Sequence, residues 1–175
     1  MPKTKTTSQK AILAVALATT ALVINFWAWT LLSPLGADLA NELKLTPVML
    51  SLLLAVPVII GSLGRIGFGM LTDKFGGKII FSAVCLLTSI PVFGLTFAND
   101  YQQFLLTAIF LGLGGAAFVI GIPFLSAWFP PERRGFVLGV YSMGNAGTAL
   151  SGFATPRLVD IFGRDERLLL LAHYY

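Results

Sequence analysis

Apolar positions along this chain fall into five long runs, separated by short polar connections. The runs cover residues 11–32, 47–71, 79–98, about 101–128 and about 135–155. Each is close to the roughly 20 residues that an α-helix needs to cross about 30 Å of hydrocarbon. The connections carry turn chemistry: Ser33-Pro34 with Asp38 and Glu42, then Asp73 through Lys78, then Asn99-Asp100, then Pro130-Pro131-Glu132-Arg133-Arg134. No soluble domain fits between the runs, so the pattern predicts an all-α integral membrane protein with about five transmembrane helices and a polar tail over 1–10. Residues 156–175 begin with Arg157, Asp160, Arg164, Asp165, Glu166 and Arg167 and then turn apolar. They read as a charged loop and the start of a sixth helix, with the chain truncated before or within it.

Composition agrees with a membrane setting: 56% of residues are hydrophobic and 11% charged, against about 25% charged in a soluble domain. The net charge of +4 is spread over single basic residues between apolar runs, with no stripe of interleaved aromatics, so no nucleic-acid partner is expected. The basic residues instead report topology. Lys3, Lys5 and Lys10 precede the first run, Lys74 and Lys78 follow the second, and Arg133 and Arg134 follow the fourth, whereas the alternate connections carry only Lys44. A multi-pass protein of the cytoplasmic membrane with its N-terminus in the cytoplasm follows. The first run is too long for the apolar region of a signal peptide, and four more runs follow it. Cys85 and His173 are each alone in the sequence. No metal site, cofactor or catalytic triad is therefore expected, and the chain does not read as an enzyme.

Arg65 is the one charge well inside a run, where arginine costs about 2.5 to 3.5 kcal/mol on insertion scales. It either snorkels toward the cytoplasmic end, marked by Asp73 about 12 Å further on, or faces a cavity or partner. Gly61, Ser62, Gly64, Gly67 and Gly69 surround it, and Gly61, Arg65 and Gly69 share one helix face at i, i+4 spacing. The guanidinium is a planar, permanently charged fork suited to planar oxyanions. With no acidic residue inside any run, an anion is its natural partner.

A second candidate lies in the fifth run, GVYSMGNAGTALS, where Asn145 stands between Gly144 and Gly147. One reading is a helix-to-helix hydrogen bond, worth about 0.6 kcal/mol in membranes. In the other, the glycines let the helix approach a neighbour or ligand closely, and Asn145, with Ser142 and Thr148 at i−3 and i+3, contacts the same anion. The fourth run is thinned in the same way over Gly112-Leu113-Gly114-Gly115-Ala116-Ala117. That stretch fits a dinucleotide fingerprint loosely, but it follows no strand and opens no βαβ unit. Phe26, Trp27 and Trp29 near one end of the first run, and Trp128 and Phe129 near the end of the fourth, suit an interfacial aromatic belt. Phe26 has the alternative of walling a binding cavity.

The connection Gly69-Met70-Leu71-Thr72-Asp73-Lys74-Phe75-Gly76-Gly77-Lys78 resembles the cytoplasmic motif of the major facilitator superfamily. Lys74 stands where arginine is more usual and Gly77 where a basic residue is more usual. The resemblance implies a charge-paired conformational latch formed by Gly69, Asp73, Lys74, Gly76 and Lys78. Most of the chain resembles the nitrate/nitrite porter family of that superfamily, through NFWAWTLLSPLG, GSLGRIGFGMLTDKFGG and GLGGAAFVIGIPFLSAWFPPERRGFVLGVYSMGNAG. In that family an arginine on the second helix holds the anion and a Gly-Asn-x-Gly signature lies on the fifth, positions that Arg65 and Gly144-Asn145-Ala146-Gly147 occupy here. The resemblance implies the N-terminal half of a transporter that moves nitrate or nitrite by alternating access, its partner being a missing C-terminal half with a second arginine and signature. A superfamily transporter of another small anion such as a carboxylate, and a non-transporting membrane anchor or sensor, are the competing readings.

Overall fold

The computed structural model describes residues 4–162, with no side-chain account before Gln9. Its elements are α1 (Thr4–Trp29), α2 (Leu32–Glu42), α3 (Pro47–Phe75), α4 (Gly77–Leu95), α5 (Tyr101–Leu111), α6 (Ala117–Ser126), α7 (Pro131–Ser142) and α8 (Ala146–Phe162). Two 3₁₀ segments, Gly112–Ala116 and Met143–Asn145, join α5 to α6 and α7 to α8. The chain thus forms five rods: α1 with α2, α3, α4, α5 with α6, and α7 with α8. Among the described residues there is no strand.

Four rods are long and apolar enough to cross a membrane: Gln9–Glu42, Pro47–Phe75, Gly77–Leu95 and Tyr101–Ser126. The fifth is continuous from Pro131 to Phe162, but its glycines, hydroxyls and Asn145 make it less apolar. The structure corrects the expected end of the first span at Leu32. Ser33-Pro34 is not a turn; it lies in the opening turn of α2, which runs to Glu42. Proline is tolerated there because an N–H in the first turn has no helical partner. Leu31 donates to Ala28 and Ser33 to Thr30, both i−3 bonds that tighten the backbone at the junction. Leu32, Leu35, Gly36 and Leu39 are buried at helical spacing, so burial of that face carries the rod onward. The charged loop expected over 156–175 begins as helix, since α8 extends to Phe162. The expected start of a sixth helix lies outside the described residues.

Local chemistry fixes the junctions. After α2, Lys44 takes a left-handed φ of 50°, and Leu45 N–H donates to Ala40 O at 2.9 Å, closing the helix as a Schellman-type cap. Thr46 caps α3 by accepting from Met49 N–H, with Pro47 in the first position. Asp100 caps α5 by accepting from Gln103 N–H at 2.9 Å. Gly76, with φ 86°, turns the chain from α3 into α4, a conformation that L side chains rarely adopt.

Two apolar clusters hold the rods together. One joins Leu31, Leu35 and Leu39 to Leu53, Leu95, Phe104, Leu111 and Val159. The other joins Leu22 and Phe26 to Phe81, Val84, Ala116, Ile120, Leu125 and Tyr141. The 3₁₀ segment Gly112–Ala116 passes between them, because Leu111 belongs to the first and Ala116 to the second. Outward positions remain apolar, as Leu13, Leu63, Ile66, Leu86, Ile90 and Phe153 are exposed. In a bilayer these side chains meet lipid rather than water.

Candidate functional site

Arg65 projects from α3 toward the middle of the bundle and is half-buried. Its Nε donates to the Gly115 carbonyl at 3.3 Å, and its Cζ lies 5.8 Å from the centre of the Trp29 ring. Cation–π contacts of this kind fall within about 6 Å. The indole is held in turn, because Trp29 Nε1 donates to the Pro57 carbonyl at 2.9 Å. Two glycines make room for the ring: a Cβ at Gly115 would come within 2.8 Å of Trp29 Cε2, and one at Gly61 within 3.0 Å of its Nε1. α3 and the 3₁₀ segment meet almost backbone to backbone, since a Cβ at Gly61 would also lie 2.8 Å from Gly112 O. The glycines around Arg65 therefore seat an aromatic ring and a neighbouring backbone beside the charge.

Nη1 and Nη2 of Arg65 make no hydrogen bond among the described residues, and Arg65 forms no ion pair among them. The described acids Asp38, Glu42, Asp73, Asp100, Glu132 and Asp160 are all exposed. A half-buried guanidinium with its Nε engaged and two terminal amino groups unbonded has the planar fork geometry that suits a planar anion.

The Gly-Asn-x-Gly stretch packs elsewhere. Gly144 and Gly147 are buried against α1: a Cβ at Gly144 would strike Leu22, and one at Gly147 would overlap the Val23 carbonyl oxygen and the Phe26 side chain. Asn145 is exposed, away from that contact. Its Nδ2 donates to Ser142 O at 2.8 Å, and Thr148 Oγ1 donates to Asn145 O at 2.8 Å. The structure does not bring Asn145 into contact with Arg65 among the described residues. Phe26 is buried, 5.2 Å from Trp29 and 6.4 Å from Phe118 between ring centroids. Phe118 stacks on Tyr141 at 5.8 Å, and Tyr141 Oη donates to Ala117 O at 2.8 Å. Phe26 is thus an interior link between the Trp29 ring and the fifth rod, while Trp29 is the aromatic that touches the arginine.

In the connection between α3 and α4, Asp73, Lys74, Gly76 and Lys78 are exposed, and a Cβ at Gly69 would lie 4.0 Å from Val119 Cγ1. Asp73 makes no ion pair among the described residues. Gly77, the departure from the motif, has a physical reason here: a Cβ would lie 2.7 Å from Phe124 Cβ and 3.0 Å from its Cα. No side chain fits where a basic residue is more usual.

Sequence reading passed over two groups at the site. From the sequence, Trp29 suits an interfacial belt and Gly115 is one glycine of a thinned run. The available signal was the coincidence of a tryptophan in one span, a glycine run in another and a lone arginine in a third.

Among the described residues, a bundle of apolar helices surrounds a half-buried arginine that makes no ion pair, the pattern of a multi-pass membrane protein. Residues 18–171 match the Major Facilitator Superfamily, and the chain belongs to that family of transporters. It is 45% identical over 152 residues to the "Probable nitrate/nitrite transporter NarK2" of Mycobacterium tuberculosis (strain ATCC 25618 / H37Rv), covering 85% of this chain and 38% of that protein. It is 38% identical over 149 residues to the "Probable nitrate transporter NarT" of Staphylococcus haemolyticus (strain JCSC1435), covering 85% of this chain and 39% of that protein. The Staphylococcus carnosus (strain TM300) protein of the same description is 36% identical over 161 residues, 92% of this chain and 42% of that protein. The chain therefore spans about two fifths of the length of these relatives.

Proposed function

We propose that this chain supplies the N-terminal helices of a nitrate/nitrite transporter of the cytoplasmic membrane, with Arg65 as the anion-binding residue. The observation that carries this reading is the free Nη1/Nη2 pair of Arg65, with no acidic partner among the described residues. A charge inside hydrocarbon is costly unless paired, and a planar oxyanion completes this one. The printed descriptions of the relatives support nitrate or nitrite as that anion. Asn145 faces away from α1 and contributes its remaining amide hydrogen and oxygen where a second set of helices packs. The exposed Asp73, Lys74 and Lys78 act as the latch against those helices. The N-terminus lies in the cytoplasm, since the ends bearing Lys74, Lys78, Arg133 and Arg134 share its side of the bundle.

Transport in this reading is alternating access, one half rocking against another around a midplane site. In this reading the 175 residues hold the anion-binding Arg65 but do not complete a transport cycle. Vesicles containing only this chain are expected to show no nitrate uptake above empty vesicles.

Binding is the direct test. With nitrate as the titrant and the chain in nanodiscs, Arg65→Lys is expected to weaken binding about tenfold, because charge is kept but the planar fork is lost. Asn145→Ala should weaken it less. Equal affinity of the lysine variant sinks the forked-contact reading, and displacement of nitrate by acetate at equal concentration moves the substrate class to carboxylates.

A further inference from the structure

The Trp29 indole is restrained more tightly than packing alone requires. Its Nε1 donates to the Pro57 carbonyl at 2.9 Å, and it lies against Gly61 and Gly115, where an added Cβ would come within 3.0 and 2.8 Å of the ring. Gly115 serves twice, since its carbonyl also accepts from Arg65 Nε at 3.3 Å. The guanidinium is therefore fixed by two contacts: a hydrogen bond to Nε, and the Trp29 ring 5.8 Å from Cζ.

We infer that Trp29 is a positioning residue that orients the Arg65 guanidinium, so that the anion meets the Nη1/Nη2 end of the fork rather than its Nε side. This rests on Arg65 being the anion-binding residue. A guanidinium can grip a planar oxyanion bidentately through Nε with one Nη, or through Nη1 with Nη2. With Nε donated to Gly115, the first mode is closed and the terminal pair remains. The indole then limits rotation of the guanidinium plane about the Cδ–Nε bond by holding a ring beside it, and it replaces water there with a polarizable surface. Because the ring belongs to α1, while Arg65 stands on α3 and Gly115 on the 3₁₀ segment of the fourth rod, the orientation of one charge depends on the seating of three rods.

The test uses the whole 175-residue chain in nanodiscs and phenylglyoxal, a vicinal dicarbonyl that condenses with the two terminal amino groups of a guanidinium. Modification of Arg65 is followed by peptide mass spectrometry, with sodium nitrate titrated against sodium gluconate at constant ionic strength. Wild type, Trp29→Phe and Trp29→Leu are compared, each with its melting temperature. Arg65 is expected to react in the wild type, and nitrate to protect it. The half-protecting nitrate concentration should rise about twofold in Trp29→Phe, which keeps a ring face, and about fivefold in Trp29→Leu, which does not.

A ring that only fills space would shift the melting temperature and leave the half-protecting concentration unchanged, which overturns the inference. Wild-type Arg65 that stays unreactive while Arg133 and Arg134 react also overturns it, because the terminal pair would not be free. Absence of nitrate protection in the wild type overturns the anion reading instead. The rate of modification then decides the positioning role: a severalfold change between wild type and Trp29→Phe supports it, and equal rates refute it. If Trp29→Leu fails to fold, the Trp29→Phe comparison carries the same decision.

Discussion

Two glycine-rich interruptions divide long rods of this protein, and they differ in how completely they are enclosed. Gly112–Ala116 is packed by α1, α3, α4 and α5, and Gly112, Gly114, Gly115 and Ala116 are all buried. Met143–Asn145 leans chiefly on α1, with Gly144 buried and Met143 and Asn145 exposed. Both adopt 3₁₀ geometry, which in mid-helix often marks a hinge or a strained sequence. At the first, missing side chains let a tryptophan, an arginine and a helix backbone converge on one point. At the second they let one helix lie on another while the opposite face stays open. Glycine density alone thus reports close approach, and the number of surrounding elements decides whether that contact is enclosed or open on one side.

The largest expected effect separates enclosure from depth of overlap. A Cβ at Gly112 would sit 2.7 Å from Ile60 Cβ and 2.9 Å from Pro57 O, with neighbours on several sides preventing retreat. Gly112→Ala should cost about 2 to 3 kcal/mol, at the upper end of overpacking, and should weaken nitrate binding by moving Pro57 and its bonded Trp29. At Gly147 the overlap with the Val23 carbonyl is deeper, yet among the described residues the outer face of α8 is exposed, so the helix can draw back. Gly147→Ala is expected to cost less, about 1 to 2 kcal/mol, with the loss partly offset by alanine's better helix propensity. Thermal unfolding of the two variants in one detergent checks the order. If Gly147→Ala is the more damaging, depth of overlap governs and the contrast between the two interruptions fails.

The sequence made the rods legible because hydrocarbon demands apolar length, a demand that leaves little choice of residue over 47–71 or 79–98. It made Arg65 legible for the opposite reason, as the one residue that violates that demand. What it hid were partners. Nothing local to Gly115 says that it faces Trp29, and nothing local to Gly144 says that it faces Leu22, because pairing between helices is settled by the packing of several rods at once. The end of the first span was hidden by competing signals: Ser33-Pro34 carries turn chemistry, whereas Leu32, Leu35 and Leu39 carry helical spacing, and burial of those leucines prevails. Asn145 shows the limit from the other side. Its flanking glycines pack closely on α1 while the amide turns away, so one motif serves two faces.

The smallest expected effect probes that open face directly. Gly139 in α7 is exposed and has no heavy atom within 4 Å of an added Cβ. In a helix whose outer face is free, Gly139→Ala removes backbone freedom from the unfolded chain and adds a methyl that meets nothing, so stability should rise by about 0.5 to 1 kcal/mol. That gain sets it apart from Gly112→Ala and Gly147→Ala, both of which lose stability. Alanine at Gly139 that destabilises the chain in a bilayer, but not in detergent, would show that another surface lies within a methyl's reach of α7 in the membrane. The fifth rod would then be enclosed on both faces, and its glycines would serve the same end as those of Gly112–Ala116.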